Sequence, residues 1–452
     1  MSLPVLLGLT QALALTMSVA FLTYVCLIVV PYLRHVPAKP GDPGEFDWHF
    51  FVPCRDEEPV IAGTVRYLLD SFPTAKVWVV DDHSEDATAA VVSGIASAES
   101  RLRLVSRRRP RARTGKGDAL NAAYRALRAS LGEHVDDNRT IVVVVDADGR
   151  PARNCLAACA AEHLFGDASI GAVQVDVWMS NRGRPQAGGS RLGKRFGAGL
   201  VRMQDLEFRT AIAAIQTSRG LTGTISMGGN GQFTRLSALT SIAGTGGPWR
   251  GALLEDFELG VHLLTAGWRT GFTRDTHVAQ EGLYSLRRFL SQRTRWGQGT
   301  MQCARYVRRI FDSAHLSTIG AAEMLYYLAQ PWLQLLGTLV YPIPFLLLGI
   351  RAGGDPGEVW SWFSGGAWVL FAVYGSFGLL PFLIWGPIYR AKCEPTVGRL
   401  RGIAYGFAYA LYIYTFYITS WRALFRLIRK RNGWVKTRRN TESHAAVVAV
   451  DH

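Results

Sequence analysis

The chain has 452 residues, of which 48% are hydrophobic and 19% are charged, and its formal net charge at pH 7 is +15. This length allows one large domain, or two smaller ones, together with membrane segments. The positive charge does not indicate nucleic-acid binding: the basic residues concentrate at 101–116, 287–309 and 422–439, the last two flank apolar runs, and no zinc finger, helix-turn-helix or RNA-binding motif is present.

The first element in chain order is an uncharged run over residues 1–33. A run of about 18 or more apolar residues is a candidate membrane helix. Because this run lacks a basic start and a small-residue cleavage site, we expect a retained transmembrane anchor rather than a cleaved signal peptide. A linker rich in proline and glycine follows at 34–47. The six cysteines are scattered and match no metal-binding spacing, which suits a reducing compartment.

Short valine-rich runs alternate with helical stretches from residue 48 onward. The runs at 49–54, 76–82, 102–106 and 140–148 predict buried strands, and 171–179 is a candidate for a further strand. This alternation predicts an α/β fold with a parallel sheet that is covered by helices on both faces. Since no G-x-G-x-x-G follows the first strand, a dinucleotide site of the dehydrogenase kind is not indicated.

Charged residues follow three of the predicted strands, at 55–58, 81–84 and 146–148. An open parallel sheet binds its ligands beyond the carboxyl ends of its strands, so these residues are expected at one edge. A single acidic strand end is usually a helix cap, but three at one edge are difficult to explain by capping alone. We expect Asp146 and Asp148, two apart along a strand, to point the same way and to hold Mg²⁺ or Mn²⁺.

Two further segments carry candidate phosphate and acid–base chemistry. In the stretch 111–124, glycines allow close backbone approach and Lys116 could meet a phosphate, although the spacing is not that of a P-loop. A metal together with a lysine suggests a diphosphate substrate. The pair Glu255 and Asp256 begins an amphipathic helix, where it is either a charge stabilised by the helix dipole or a general base. A glycine-rich turn at 228–233 precedes this pair and could pass under a flat ligand.

These motifs, in this order, resemble those of the membrane-bound members of glycosyltransferase family 2. The set is VVDDHSEDAT, RTGKGDALN, VVVVDAD, LLEDFELG and QRTRW, and the resemblance covers about residues 48–300. The group includes cellulose, hyaluronan, chitin-oligosaccharide and poly-N-acetylglucosamine synthases. The stretch GGNGQFTRLSAL also resembles β-glucosyl diacylglycerol synthases. The resemblance implies a Rossmann-like, nucleotide-sugar-binding domain of GT-A type on the cytoplasmic side of a membrane.

The resemblance also implies roles for individual residues at the donor. The residues that it places there are Pro53, Arg55, Glu57, Asp81, Asp82, Lys116, Asp146, Asp148, Gln292 and Arg295. Asp82 would contact the uracil and ribose end of a UDP-sugar, and the role of Asp56 stays open because the family usually has asparagine nearby. Asp146 and Asp148 would hold the divalent metal at the diphosphate.

On the acceptor side, the resemblance implies that Asp256 deprotonates the acceptor hydroxyl, with Glu255 beside it. Trp296 would stack under the acceptor sugar, near Gly229 and Asn230. One base opposite the leaving group implies a single in-line displacement with inversion, so that an α-linked donor gives a β-linked product.

The remaining segments predict how the chain meets the membrane. Arg34 and Lys39 follow the first anchor on the side that the positive-inside rule makes cytoplasmic, which implies an integral protein of the plasma (inner) membrane. The expected organisation is an anchor at 1–33, a linker at 34–47, a catalytic domain at 48–285, interface helices at 286–320, two transmembrane helices at 321–389, an interface helix at 390–431 and a basic tail at 432–452. This tail is either a solvated end or a gating loop in which Trp434, Lys436 and Thr437 touch the diphosphate.

Three functions are compatible with these observations. The leading hypothesis is an inverting β-glycosyltransferase that extends a polysaccharide, because Q-x-x-R-W is typical of processive members. The alternative is a glycolipid synthase that adds one or two sugars to a lipid such as diacylglycerol. The third is a non-catalytic membrane scaffold or sugar-lipid transporter. The expected partners are a nucleotide-sugar donor, a glycan or lipid acceptor and membrane lipid; with only about three spans, a homo-oligomer or an export partner is a further expectation.

Overall fold

The computed structural model describes residues 3–132, 135–184, 186, 188, 190–343, 346, 357, 360–361, 363–364 and 368–431. The chain forms two compact units. One comprises Met1–Arg34 and Ala329–Arg422, and the other comprises His35–Leu328 and the residues from Ala423 onward.

The second unit contains an eight-stranded mixed sheet. Its strands are β1 Asp47–Cys54, β2 Lys76–Asp82, β3 Leu102–Arg107, β4 Thr140–Val144, β5 Arg150–Pro151, β6 Ile170–Met179, β7 Gln232–Arg235 and β8 Arg269–Gln280. The order across the sheet is β3-β2-β1-β4-β7-β6-β8-β5. Strands β1 to β4 are parallel, as the sequence predicts. The expectation of a parallel sheet is wrong for β7, which runs antiparallel to β4 and β6, and for β5, which runs antiparallel to β8.

Helices cover both faces of this sheet. They are α2 Glu58–Ser71, α3 Thr88–Ala96, α4 Lys116–Ser130, α5 Cys155–Cys159, α6 Arg191–Leu206, α7 Ala213–Thr222, α8 Leu236–Ile242 and α9 Glu255–Thr265. Three further helices pack against α9: α10 Leu286–Cys303, α11 Val307–Phe311 and the start of α12 Thr318–Val340. A π-helical turn, Glu207–Ile212, joins α6 to α7. Short 3-10 turns occupy Pro43–Glu45 and Ala304–Tyr306.

The core explains why the central strands read as continuous apolar runs. Successive side chains of a strand point to opposite faces, and here both faces are buried. Phe50 of β1 packs in the cluster that contains Ile61 and Leu68 of α2. Its neighbour Phe51 packs in the opposite cluster, with Leu120 of α4 and Leu259 of α9. Each such buried side chain stabilises the fold by about 1.5–3 kcal/mol.

The first unit is helical in the described residues. It contains α1 Leu3–Leu33, most of α12, α13 Trp368–Leu383, α14 Trp385–Lys392 and most of α15 Arg399–Ile428. Tyr32 of α1 meets Trp385 edge-on, with ring centroids 6.3 Å apart. Among the residues that the structure describes, one helical segment, Gly8–Leu33, is long and apolar enough to cross a membrane, judged by length and composition.

The rest of the expected membrane organisation stays a prediction. The two helices expected at 321–389 include many residues outside the described part of the chain. The interface helix expected at 390–431 falls on α14 and on the 30-residue helix α15. The tail at 432–452, with Trp434, Lys436 and Thr437, lies outside the described residues.

Candidate active site

The carboxyl ends of β1, β2 and β4 lie at the same edge of the sheet because these neighbouring strands are parallel. Strand β4 ends at Val144, so Asp146 and Asp148 lie in the turn that follows it. The expectation that strand alternation orients the two carboxylates is therefore wrong. The turn is closed by the amide of Gly149, which donates to the Asp146 carbonyl at 2.7 Å, and the hydroxyl of Thr64 donates to the Ala147 carbonyl at 2.6 Å.

Lys116 is the centre of a cluster of charged side chains at this edge. It is the first residue of α4, and its Nζ donates to Asp146 Oδ1 and to the Gly229 carbonyl, both at 2.6 Å. Glu255 Oε1 lies 3.9 Å from the same nitrogen. Burial alone would lower the pKa of Lys116, but the charges of Asp146, Glu255 and Asp256 raise it above its ordinary value. The ammonium group is thus held as a cation among three carboxylates.

Glu255 and Asp256 are the first two residues of α9 and complete this cluster. Burial, reinforced by the charge of Asp256, raises the pKa of Glu255 to about 7. Burial also raises the pKa of Asp256, against the opposing charge of Lys116. A Cβ atom at Gly229 would lie 3.0 Å from Lys116 Nζ and 3.1 Å from Asp256 Oδ2, so glycine permits the close approach of this turn. A carboxylate whose pKa is shifted towards neutrality is suited to general base catalysis.

Helix α10 brings the QRTRW motif to the same carboxylates. Burial lowers the pKa of Arg295, while the charges of Glu255, Asp146 and Asp256 act in the opposite direction. Gln292 is partly buried one turn earlier on this helix, and Trp296, also partly buried, follows directly.

Contacts with the loop before α9 fix α10 in place. The side chain of Gln302 accepts a hydrogen bond from the amide of Leu253 at 2.9 Å. A Cβ atom at Gly299 would lie 2.6 Å from Leu254 Cβ, which leaves room for glycine alone. The motif arginine and the predicted base are therefore carried by two elements that pack directly on each other.

A second charged cluster lies at the end of β2. The guanidinium of Arg107 donates to Asp82 Oδ1, and the amide of Arg113 donates to the same oxygen at 3.0 Å. Asp81 accepts from Arg108 Nη1 at 3.2 Å and from the amide of Ser84 at 3.0 Å. Both aspartates are buried. In the sequence these arginines count only as basic charge, although Arg107 is the last residue of β3, which pairs with β2, and Arg108 and Arg113 follow it.

The residues after β1 brace the loop that follows β2. Asp56 Oδ1 accepts from the amide of Glu85 at 2.7 Å, and the Asp56 amide donates to Ser84 Oγ at 2.9 Å. The amide of Glu57 donates to Thr88 Oγ1 at 2.8 Å. Two further predicted donor residues lie beside this loop: Pro53 in β1 and Arg55 directly after that strand.

The side chain of Asn230 has hydrogen-bond partners that could not be predicted from the sequence. Its Oδ1 accepts from the Asp146 amide at 3.2 Å, and its Nδ2 donates to Gln280 Oε1 at 2.9 Å. The side-chain amide thereby holds the turn that carries Asp146. Asp148 is held on the other side of this turn, where its Oδ2 accepts from the amide of Glu281 at 2.9 Å.

The carboxylates after β4 can be tested for their fit to a divalent cation. The described residues contain no group of three or more histidine, cysteine, aspartate or glutamate side chains that could hold a metal ion by themselves. Mg²⁺ usually binds through one or two carboxylates and completes its shell with water and substrate phosphates. Asp146 and Asp148 supply oxygen ligands of this kind and number, so they fit a metal that is completed by a diphosphate.

An open sheet with charged side chains at the carboxyl ends of its strands is the arrangement of α/β proteins that bind a ligand at that edge. The family described as Glycosyltransferase like family 2 matches residues 47–299, so the chain belongs to glycosyltransferase family 2.

The chain is also similar to individual members and solved structures. It is 29% identical over 255 residues to β-monoglucosyldiacylglycerol synthases of Trichormus variabilis and Nostoc sp.. Each match covers 56% of this chain and 48% of the relative, so it spans about half the length of those proteins. A mannosyltransferase from Pyrobaculum calidifontis, solved with GDP-Man and Mn²⁺, is 19% identical, with a TM-score of 0.53 over 89% of this chain and 98% of that one. This likeness shows the shared GT-A fold.

Proposed function

We propose that the chain is a membrane-associated glycosyltransferase that moves one sugar from a UDP-sugar to a lipid acceptor such as diacylglycerol. The observation that carries this proposal is the convergence of Lys116 with Asp146, Glu255 and Asp256 at the carboxyl edge of the sheet. Arg295 faces the same carboxylates from α10. The site thus combines a candidate base with two cations for a diphosphate.

The reaction chemistry follows from the separate roles of the candidate base and the two cations. As the acceptor oxygen forms its bond to the anomeric carbon, the bond between that carbon and the diphosphate oxygen breaks, and negative charge grows on the leaving group. Lys116 and Arg295 stabilise this charge where it develops. Asp146 and Asp148 would hold Mg²⁺ or Mn²⁺, which would supply further positive charge to the diphosphate. Asp256 takes the proton of the acceptor hydroxyl, and attack opposite the leaving group inverts the anomeric centre.

The end of β2 favours uracil over guanine as the donor base. In the described part of the chain, both hydrogen bonds to Asp82 fall on Oδ1, from Arg107 and from the Arg113 amide. This leaves Oδ2 for a single N–H. Uracil presents one N–H between two carbonyls, which one oxygen can accept, whereas guanine presents two adjacent donors that a carboxylate meets best with both of its oxygens, and Oδ1 is already occupied.

Calorimetric titration with UDP and GDP tests this preference. We expect UDP to bind at least about tenfold more tightly, because an unpaired buried donor costs about 1–3 kcal/mol. The variant Asp82→Asn should lose most of this preference, since its amide nitrogen repels the uracil N–H. Equal affinity of the wild type for the two nucleotides would contradict the assignment.

Two observations support a lipid acceptor. The curated relatives are named as β-monoglucosyldiacylglycerol synthases, and Gly8–Leu33 is a candidate membrane span. Polysaccharide extension stays the second candidate, because α10 carries the QRTRW motif that is typical of processive members.

Product analysis separates these candidates. Membranes that contain the protein are incubated with labelled UDP-glucose, UDP-N-acetylglucosamine, UDP-galactose or GDP-mannose, with and without added diacylglycerol. We expect label in an organic-extractable lipid that carries one added sugar. Long water-soluble chains without labelled lipid would reject the lipid acceptor and favour the polymer.

The proposal also places the glycerol end of the lipid acceptor, beside its reacting hydroxyl, at the ring of Trp296. Trp296→Ala should raise the apparent KM for diacylglycerol in mixed micelles, while hydrolysis of the UDP-sugar without acceptor stays within about twofold, because the donor groups are untouched. Equal loss of both activities would count against a stacking role.

A further inference from the structure

Arg293, the second residue of the QRTRW motif, faces away from the charged cluster around Lys116 and is buried in a cage of its own. Its Nη1 and Nη2 donate to Glu207 Oε1 and Oε2 at 3.0 and 2.5 Å. The side chains of Arg293 and Glu207 are only 7% and 6% exposed. This is a two-pronged pair in which the planar guanidinium matches the carboxylate, so it fixes orientation as well as charge.

Three aromatic rings enclose the guanidinium of this pair. Its Cζ lies 4.3 Å from the centroid of the Trp296 ring, 5.1 Å from that of Phe289 and 5.6 Å from that of Phe208. Phe208 meets Trp296 edge-on, with centroids 6.2 Å apart. One face of the indole is therefore covered by a cation whose own position is fixed by Glu207.

Glu207 reaches α10 from the π-helical turn Glu207–Ile212. Such turns are rare and frequently occur at functional sites. The next residue but one, Arg209, extends to the sheet instead: its Cζ lies 4.1 Å from the ring of Trp178 in β6. Through these neighbouring side chains, one irregular turn ties the QRTRW helix to the end of a sheet strand.

We propose that Glu207 and Arg293 are positioning residues for Trp296. Their ion pair holds the guanidinium against one face of the indole and thereby sets the plane of the ring that meets the acceptor. A buried ion pair adds little net stability compared with apolar groups of the same size, so its use here is geometric. A cation over an indole is attracted to the face of the ring, and this attraction favours one ring orientation. The inference rests on the proposed function, in which Trp296 contacts the acceptor.

The test compares Glu207→Gln with a matched control, Glu323→Gln. Glu323 accepts from Arg219 Nε at 2.7 Å, and Arg219 Cζ lies 4.5 Å from the ring of Tyr327, so the control breaks a similar buried pair beside another aromatic ring. The measurements are the apparent KM for diacylglycerol in mixed micelles, UDP-sugar hydrolysis without acceptor, and the midpoint of thermal unfolding. Glu207→Gln should raise the acceptor KM by about tenfold and leave hydrolysis within about twofold. Glu323→Gln should leave both within about twofold.

A second variant keeps the test independent of folding losses. Arg293→Lys retains a cation beside the indole but loses the two-pronged geometry, so we expect an acceptor KM between those of the wild type and Glu207→Gln. If the acceptor KM is unchanged in both variants, or if hydrolysis falls in parallel with it, the positioning role is refuted. Trp296→Ala distinguishes a failure of this inference from a failure of the proposed function. An unchanged acceptor KM in Trp296→Ala would show that Trp296 does not contact the acceptor, so the role proposed for Trp296 would itself be wrong.

Discussion

Replacing Lys116 with methionine tests the charge balance of the cluster at the sheet edge. The change removes a cation that contacts Asp146 at 2.6 Å and lies 3.9 Å from Glu255, while it keeps the length of the apolar stem. Breaking a buried ion pair typically costs about 3–5 kcal/mol. Because the Asp146 side chain is 33% exposed and partly screened by water, we expect a loss of about 2–4 kcal/mol at pH 8.

The loss of stability in Lys116→Met should be larger at high pH than at low pH. The pKa of Glu255 is about 7 even beside the lysine, so at pH 5.5 this carboxyl is protonated and has no charge to balance. Without Lys116 the pKa values of Glu255 and Asp256 rise further. A raised carboxyl pKa in the folded state means that stability is lost as pH rises through it. The variant should therefore lose about half as much free energy of unfolding at pH 5.5 as at pH 8.

Lys76→Met is the matched control for this measurement. Lys76 Nζ lies 3.0 Å from Asp47, but both side chains are more than a third exposed, so the pair is worth about 0–1 kcal/mol. Although burial acts the other way, hydrogen bonds from His49 and Lys76 lower the pKa of Asp47 to about 2, so it stays charged from pH 5.5 to 8. Denaturant unfolding in detergent, followed by tryptophan fluorescence, gives both values. An equal loss at the two pH values in Lys116→Met would refute the reasoning.

Three further changes test other parts of the site. Gly229→Ala would place a Cβ 3.0 Å from the lysine nitrogen at the start of α4, so we expect at least about tenfold lower transfer with little change in melting temperature. Gly299→Ala, with its Cβ 2.6 Å from Leu254 Cβ, should cost about 1–3 kcal/mol by overpacking, whereas Gly297→Ala has ordinary contacts and should be nearly neutral. In Glu255→Gln, the melting temperature should fall less than that of the wild type as pH rises from 4.5 to 7, because over this range the wild-type carboxyl loses its proton in the unfolded chain while burial keeps it largely protonated in the folded state.

Each of these predictions has a result that contradicts it. Wild-type transfer activity in Gly229→Ala would show that the turn at Gly229 is not in close contact with the charged cluster. Equal stability of the Gly299→Ala and Gly297→Ala variants would mean that α10 does not pack tightly on the loop before α9. If the melting temperatures of the wild type and Glu255→Gln changed by the same amount across this pH range, burial would not keep Glu255 protonated in the folded state.

The strands that could be predicted are those whose burial appears as apolar runs. β1, β2, β3 and β6 coincide closely with predicted runs because both of their faces contact apolar helices. β7 was missed because it is buried although three of its four residues are polar. Its Arg235 donates to the carbonyls of Ile170 and Phe165 at 2.8 and 2.5 Å. These hydrogen bonds compensate for the burial of a charged side chain. Their acceptors are distant in the sequence, so the hydrophobic periodicity of the segment does not indicate them.

The residues of the site also divide into those that could be predicted from local sequence and those that could not. Lys116, Asp146 and Asp256 could be named because they follow strands or begin helices, where local pattern fixes their place at the edge. Arg107 and Arg293 could not be given partners, because the partners are 25 and 86 residues away in the chain. The order β3-β2 and the π-helical turn bring these pairs together, and neither feature has a local sequence signal.

The most direct test of the account is sugar transfer by Asp256→Asn. Removing a general base typically lowers the rate by about 10²–10⁴-fold. We predict that this variant, purified in detergent with diacylglycerol and labelled UDP-sugar, loses transfer by at least about 100-fold while its affinity for UDP stays within about threefold. Full transfer by Asp256→Asn would contradict the account, because the cluster around Lys116 would then not contain the base.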